Sequence, residues 1–452
     1  MAQENPTVAA DAPGWNRHPT GLYVLFATEM WERFSFYTMV AMFTLYLKDP
    51  TEGFGWTSQQ ATGLYANYAM FVYGSPLIGG FLASWKLGFR RAVMIGGFFF
   101  MAGHLLLSIP TLTAVYAALV CLVIGNGFFK PNISAMVGNL YPPGSHLKER
   151  AYSIFYMGIN IGAFLAPVTA EIVKGYFGFH VAFGVAAGGM VISVLILWLF
   201  KHHVEDPKPT AGAAPAASTS VAAGDPPVVA PPRPIDLVPD WQRIGALIVV
   251  FLIVIVFWMV FHQNATTITY WADKNTDWQV SGIISSAINP FWVVALTFPL
   301  IFFWKWLDRM GLEPSTPAKM MCGMVMTGLA FLVFYAAALQ GEATATDEMR
   351  HQFKVSPLWL VGAYAVLTLG ELMLSPMGLA LVAKVSPPRY IGIMMGGWFV
   401  ATAIGNKLTQ IGTYWDYWYH STFWLVLSIL SFTIAAVVLL LLVPLKKAMP
   451  GV

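Results

Sequence analysis

Long apolar stretches alternate with short polar breaks along almost the whole chain. Crossing a bilayer core as a helix takes about 20 apolar residues. Stretches of that kind run near 20–47, 59–84, 91–110, 113–141, 150–174 and 179–200. A second set runs near 243–271, 281–306, 318–340, 357–384, 390–413 and 419–446. The pattern predicts an all-α integral membrane protein with six spanning helices, a break, and six more. The break from Lys208 to Pro234 is dominated by Pro, Ala, Gly, Ser and Val. It has no helical period, no span of membrane-crossing length and too many prolines for a helix. It reads as a disordered tether. The division is therefore a tail over 1–18, a bundle over 19–200, a linker over 201–242, a bundle over 243–446 and a tail over 447–452.

Composition strengthens this picture. Of the 452 residues, 57% are hydrophobic and only 10% charged. A soluble domain carries about a quarter charged residues. The net charge of +3 is too small to suggest a nucleic-acid partner. Cys121 and Cys322 are the two cysteines. Both sit in apolar stretches, so neither a disulfide framework nor a zinc site is suggested. The first eighteen residues lack the basic-then-apolar order of a cleavable leader. An even number of spans puts both termini on one side. That side carries seventeen Lys and Arg in loops and helix ends, against five on the other, with Arg33, Lys130 and Lys407 inside helices. The asymmetry places termini and linker in the cytoplasm.

Two six-helix halves joined by a cytoplasmic linker resemble the major facilitator superfamily. Two basic turns add to the likeness. One runs from Gly80 through Ser84, Lys86 and Gly88 to Arg91; the other runs from Trp304 through Lys305, Asp308 and Arg309 to Gly311. Ser84 stands where the first turn of that superfamily usually has Asp.

Ionisable side chains in a membrane helix cost several kcal/mol unless paired or wet, so each is a functional candidate. Helix one carries Glu29, Glu32, Arg33 and Tyr37. Spacings of three and four line up Glu29, Arg33 and Tyr37, with Glu32 beside them. Helix four carries Lys130 before Pro131, and helix ten carries Glu371 after Gly370. Arg33, Lys130 and Glu371 fall near midspan, on three helices from both halves, and predict a shared polar cavity. Structural ion pairing is the competing account, and for Glu29 it stands level with the functional one. Lys407, toward the far end of helix eleven, is expected to snorkel to water.

Four strings on these helices resemble the proton-coupled oligopeptide transporter family. They are Glu29-x-x-Glu32-Arg33-Phe34-x-Phe36-Tyr37, then Gly127 through Lys130-Pro131 to Ala135, then Phe155-Tyr156 through Asn160 to Gly162, then Gly370-Glu371 through Ser375-Pro376 to Gly378. The resemblance covers nearly all of the membrane-spanning chain. It implies a bacterial inner-membrane symporter that imports di- and tripeptides with protons by alternating access, as a monomer and without a cofactor. Arg33 and Lys130 would face the peptide carboxylate, and Glu371 the amino terminus. Tyr37, Asn160, Asn289 and Ser375 would add polar contacts, and Tyr73 and Trp398 aromatic ones, each of which is equally a packing residue taken alone. Glu29, Glu32 and Arg33 would handle protons.

Three positions depart from the pattern. Phe36 stands where the family's helix-one motif has a first Tyr. Val40 stands for an Arg one turn on. His262 stands for an acid on helix seven, so the charge pair that closes the outer gate in many members is absent. His262 is either packed or a proton carrier; imidazole titrates near pH 6.5. Two other classes stay open: a carrier of this fold for nitrate, an amino-acid derivative or a peptide-like compound, and a membrane peptide sensor. No nucleotide loop, metal-ligand cluster or Ser-His-Asp set argues for an enzyme.

Overall fold

The computed structural model describes residues 18–141, 147–204, 234–346, 351–387 and 390–450. Most of the expected linker and the first seventeen residues lie outside them.

The described chain is almost wholly helical and forms two bundles of six spans. Helices one to four are Thr20–Lys48, Ser58–Leu82, Phe89–Leu107 and Leu112–Asn139. Helices five and six form one run, Leu147–Leu199, turned at Gly178, whose φ of 83° lies in the left-handed region. Only glycine takes that conformation at no steric cost. The Glu52 side chain accepts the Phe179 N–H just beyond the turn, at 2.6 Å.

In the second half, helix seven starts at Asp240, three residues before its expected start at 243. It is not the single rod expected over 243–271. It runs Asp240–Phe261, breaks through a 3-10 turn at His262–Ala265, and resumes over Thr267–Lys274. Helices eight to twelve are Ile288–Arg309, Thr316–Glu342, Pro357–Val385, Ile391–Leu408 and His420–Ala448. Helix eleven ends in a second 3-10 turn, Thr409–Tyr414. The two breaks are tied together by Gln263. Its amide nitrogen donates to the Met259 and Thr409 carbonyls, both at 3.2 Å, and its amide oxygen accepts the Thr266 and Thr267 hydroxyls. Backbone groups freed by a break in hydrocarbon must find such partners.

Eight stretches among the described residues cross a membrane by length and composition alone. Helix one is not among them, because Glu29, Glu32 and Arg33 interrupt it. Ile78, Phe81, Phe302 and Leu440 are 64–80% exposed, an apolar exterior that suits lipid and not water.

Each half has its own apolar core. Ala265 and Ile283 of the second half are buried in the core of the first. Ties between the halves gather at the end remote from the termini, called the far end below. Thr44 donates to the Ala265 carbonyl at 3.1 Å, and Thr62 shares a hydrogen bond with the Tyr270 hydroxyl at 3.2 Å. Ser58 binds both Asp416 oxygens, and the Lys48 ammonium stands 3.8 Å from the Tyr270 ring centre. The Lys407 ammonium reaches Asn67 across the halves at 2.5 Å, in an exposed setting.

Candidate functional site

The helix-one charges form one buried cluster. Glu29, Glu32 and Arg33 are all at least 97% buried. The Arg33 guanidinium donates from Nε and Nη2 to the two oxygens of Glu32, the latter at 2.7 Å. Its Nε lies 3.3 Å from Glu29 Oε1. Helical spacing singles out Glu29 as the partner, yet Glu32 holds the tighter, two-point contact. The long guanidinium stem curls back, so its planar fork matches a carboxylate one residue away. Glu29 Oε2 is left buried with no partner. Arg33 also lies 4.9 Å from the Phe36 ring and 6.0 Å from that of Tyr37.

Lys130 is positioned by a close crossing of helices two and four. Gly79 sits so near Gly127 that a Cβ would overlap the Gly127 carbonyl. Asn126 donates to the Val72 carbonyl at 2.7 Å, and Asn132 to the Gly79 carbonyl at 3.4 Å. Glycines permit such approach, and side-chain amides fasten it. The crossing sets Tyr73 of helix two beneath Lys130 of helix four, with the ammonium 5.0 Å from the ring centre. Among the described residues, the Lys130 ammonium makes no hydrogen bond and no ion pair, while its backbone carbonyl accepts the Ser134 hydroxyl at 3.4 Å. It lies within electrostatic reach of Glu29, Glu32 and Arg33.

The second half contributes the opposite charge. Glu371 Oε2 accepts the Asn289 amide at 2.8 Å, and the same amide donates to Thr368 at 3.0 Å. No basic side chain among the described residues lies within ion-pair distance of Glu371. Tyr37, Tyr73 and Tyr156, on helices one, two and five of the first half, lie within electrostatic reach of Glu371. Tyr37, Tyr73, Lys130, Asn289, Glu371 and Ser375 are partly buried, consistent with a cavity wall. Asn160 turns its amide nitrogen back to the Tyr156 carbonyl of its own helix, at 2.9 Å. Trp398 is 93% buried, with its ring against Gly378, where no Cβ would fit.

His262 stands at the break in helix seven. Its ring centre lies 5.2 Å from that of Tyr73, across the halves, and 4.9 Å from that of Trp258. Its Nε2 is buried without a hydrogen-bond partner. Sequence reasoning missed Gln263, Thr368 and Trp258. Gln263 carried a signal: His262-Gln263-Asn264 is a polar run inside an apolar stretch.

Comparison with known proteins follows this geometry. A family model described as the POT family matches residues 90–223 and 232–415. The "Uncharacterized transporter YclF" of Bacillus subtilis is 31% identical over 99% of each chain. A "Di-/tripeptide transporter" of Lactococcus lactis is 28% identical, over 96% of this chain and 97% of its own. A crystal structure of a peptide transporter POT in complex with sulfate superposes with a TM-score of 0.83 at 27% identity, covering 97% of both chains.

Proposed function

The chain belongs to the POT family, and from that premise we propose that its cavity carries di- and tripeptides together with protons by alternating access. The observation that carries this reading is a base, Lys130, in one half and an acid, Glu371, in the other, each without an ion-pair partner among the described residues. A short peptide is a zwitterion with a constant backbone, so opposite charges on two walls read its ends and leave its side chains to apolar surroundings. Arg33 and Lys130 take the carboxylate, and Glu371 takes the amine.

Charge balance supports coupling to a proton. Glu29, Glu32 and Glu371 carry −3 when ionised, and Arg33 with Lys130 carries +2, leaving −1 in a low-dielectric space. A zwitterion adds zero, and one proton brings the loaded site to neutrality. The unpartnered Oε2 of Glu29 is the first landing place for it. One charge falling through 100 mV yields about 2.3 kcal/mol. One pH unit adds about 1.4 kcal/mol. Together they sustain a concentration ratio of a few hundred.

The Lys and Arg asymmetry supports a far end facing outward and termini in the cytoplasm of a bacterial inner membrane. The far-end ties then favour a carrier closed to the outside. Both walls of the cavity come from one chain, so a monomer suffices. The deciding experiment is uptake into vesicles holding only this protein, with an imposed pH gradient and voltage. Competition by assorted dipeptides supports the reading. Proton-dependent flux of another solute without such competition replaces the substrate class, a reading to which Phe36 lends support by removing one hydroxyl beside Arg33.

Two substitutions refine the roles. Glu371→Gln loses a charge-assisted bond of about 1.5–3 kcal/mol. KM for dipeptides with a free amine is expected to rise about tenfold to a hundredfold, and far less for an N-acetylated analogue; equal losses for both would make Glu371 a gating residue. His262→Gln is expected to keep counterflow, which needs no net proton movement. The rise of uptake as external pH falls from about 7.5 to 5.5 should flatten. An unchanged profile would return His262 to packing.

A further inference from the structure

The reverse side of helix one lies at the bottom of a groove between helices five and six. Two glycines press those helices onto helix one. A Cβ at Gly162 would overlap the Met30 carbonyl, and one at Gly189 the Ser35 hydroxyl and the Phe34 ring. Beside them the chain leaves room: Gly188 is exposed, and a Cβ there would meet nothing within 4 Å. The groove has a volume of about 500 Å³. Met30, Trp31 and Phe34 form its floor, with Leu165 of helix five and Ile192 of helix six at its rims. Of its ten lining residues only Trp31 and Thr169 have a polar side-chain atom, so a water there finds few partners. Left unfilled, the groove would forfeit the dispersion contacts of its walls. At 3.6 residues per turn, Met30, Trp31 and Phe34 fall on the side of helix one opposite Glu29, Glu32 and Arg33. Whatever fills the groove therefore presses on the back of the buried charge cluster.

Both rims lead to positive charge at the end that holds the termini. On helix five, Leu165, Ile161, Met157 and Arg150 recur at helical spacing and follow one face, all of them exposed. On helix six, Ile192, Leu195 and Leu199 do the same and stop just short of Lys201. From Ile192 to Lys201 the chain rises roughly 14 Å, close to the hydrocarbon depth of one leaflet, about 15 Å. Arg150 and Lys201 are exposed, and among the described residues neither makes an ion pair. Arg90 adds a third cation, donating to the Lys201 carbonyl at 3.3 Å. We propose that the groove binds one anionic phospholipid from the leaflet on the side of the termini. An acyl chain lies over Met30, Trp31 and Phe34 and braces helix one from behind. The headgroup phosphate sits by Arg150 and Lys201, whose charges select a net negative lipid over a zwitterionic one. Hydrocarbon gains nothing by leaving other hydrocarbon, so the shape of the groove fixes where the chain lies and the basic pair fixes which lipid it is.

The test uses the whole chain in phosphatidylcholine vesicles and needs no transported substrate. The probes are phosphatidylglycerol and phosphatidylcholine, each carrying a photoactivatable diazirine near the end of one acyl chain and each added at the same low fraction. Crosslinks are located by mass spectrometry of peptides. The phosphatidylglycerol probe is expected to mark Met30, Trp31 or Phe34 at least about fivefold more than the phosphatidylcholine probe. Both should mark the lipid-facing Phe302 and Leu440 of the second half alike. Arg150→Gln with Lys201→Gln should make the two probes equal on helix one. Gly188→Leu, which fills the groove from helix six, should cut labelling of helix one at least about fivefold and leave Phe302 and Leu440 as before. If Gly188→Leu does not fold, Ile192→Trp takes its place with the same expectation. Phosphatidylglycerol should also raise the thermal midpoint of the parent in detergent more than phosphatidylcholine does, since a ligand of the folded state stabilises it. That increment should vanish in the double Gln variant. Helix-one labelling that is absent, equal for the two headgroups in the parent, or unchanged by filling the groove overturns the site. A headgroup preference or a thermal increment that survives the double Gln variant overturns the part given to Arg150 and Lys201.

Discussion

Lys130→Gln is expected to reduce gradient-driven dipeptide accumulation to the level of empty vesicles. Its ammonium rests on the Tyr73 ring without a carboxylate of its own among the described residues. A cation left unpaired in a membrane interior is costly and marks a ligand's place. Substitution by Gln removes the strongest attraction for the peptide carboxylate. It also takes the site from −1 to −2, so a single proton no longer neutralises the loaded carrier. Arg33 alone does not make up the loss, because Glu32 already holds its Nε and Nη2 and leaves only the rest of the fork for a peptide carboxylate. The measurement is radiolabelled dipeptide accumulation under an inward pH gradient, with size-exclusion elution confirming a folded variant. Parental accumulation would remove Lys130 from the mechanism.

The second large effect is expected at Gly79, which touches no substrate. A Leu side chain there has nowhere to go, since even its Cβ overlaps the Gly127 carbonyl. Backbone cannot yield as a side-chain tip can. Overpacking costs about 1–3 kcal/mol when side chains can shift, and a backbone obstacle exceeds that. Helices two and four should be forced apart, breaking the Asn126 and Asn132 bonds and lifting Tyr73 from beneath Lys130. The thermal midpoint in detergent is expected to fall sharply and uptake to vanish. Gly63→Ala is the control on the same helix, because a Cβ there meets nothing within 4 Å. A Gly79→Leu protein as stable as its parent would mean the crossing is looser than described.

What the sequence made legible was what breaks its own pattern. Glu29, Glu32, Arg33, Lys130 and Glu371 stand out because hydrocarbon tolerates few charges, so each announces a wet or paired site. The twelve spans were legible from apolar length. Their interruptions were not: helix seven contains neither Pro nor Gly around His262, and its break is stabilised by Gln263 and by Thr409, a partner 146 residues away. The partner of Lys407 was hidden for a similar reason. The depth of the lysine is readable from one helix, but Asn67 lies 340 residues away in the other half. Which glutamate holds Arg33 depends on how the side chain curls, and helical spacing carries no information about that.

Gln263 fastens the break of helix seven to the break of helix eleven. Two hinges sharing one pin cannot fold separately. The segments beyond them, Thr267–Lys274 and Thr409–Tyr414, therefore travel as a single plate. That plate carries Tyr270, the ring that receives Lys48, and Asp416, which grips Ser58, lies two residues past its edge. The far-end contacts are thus linked through Gln263 to the break at His262.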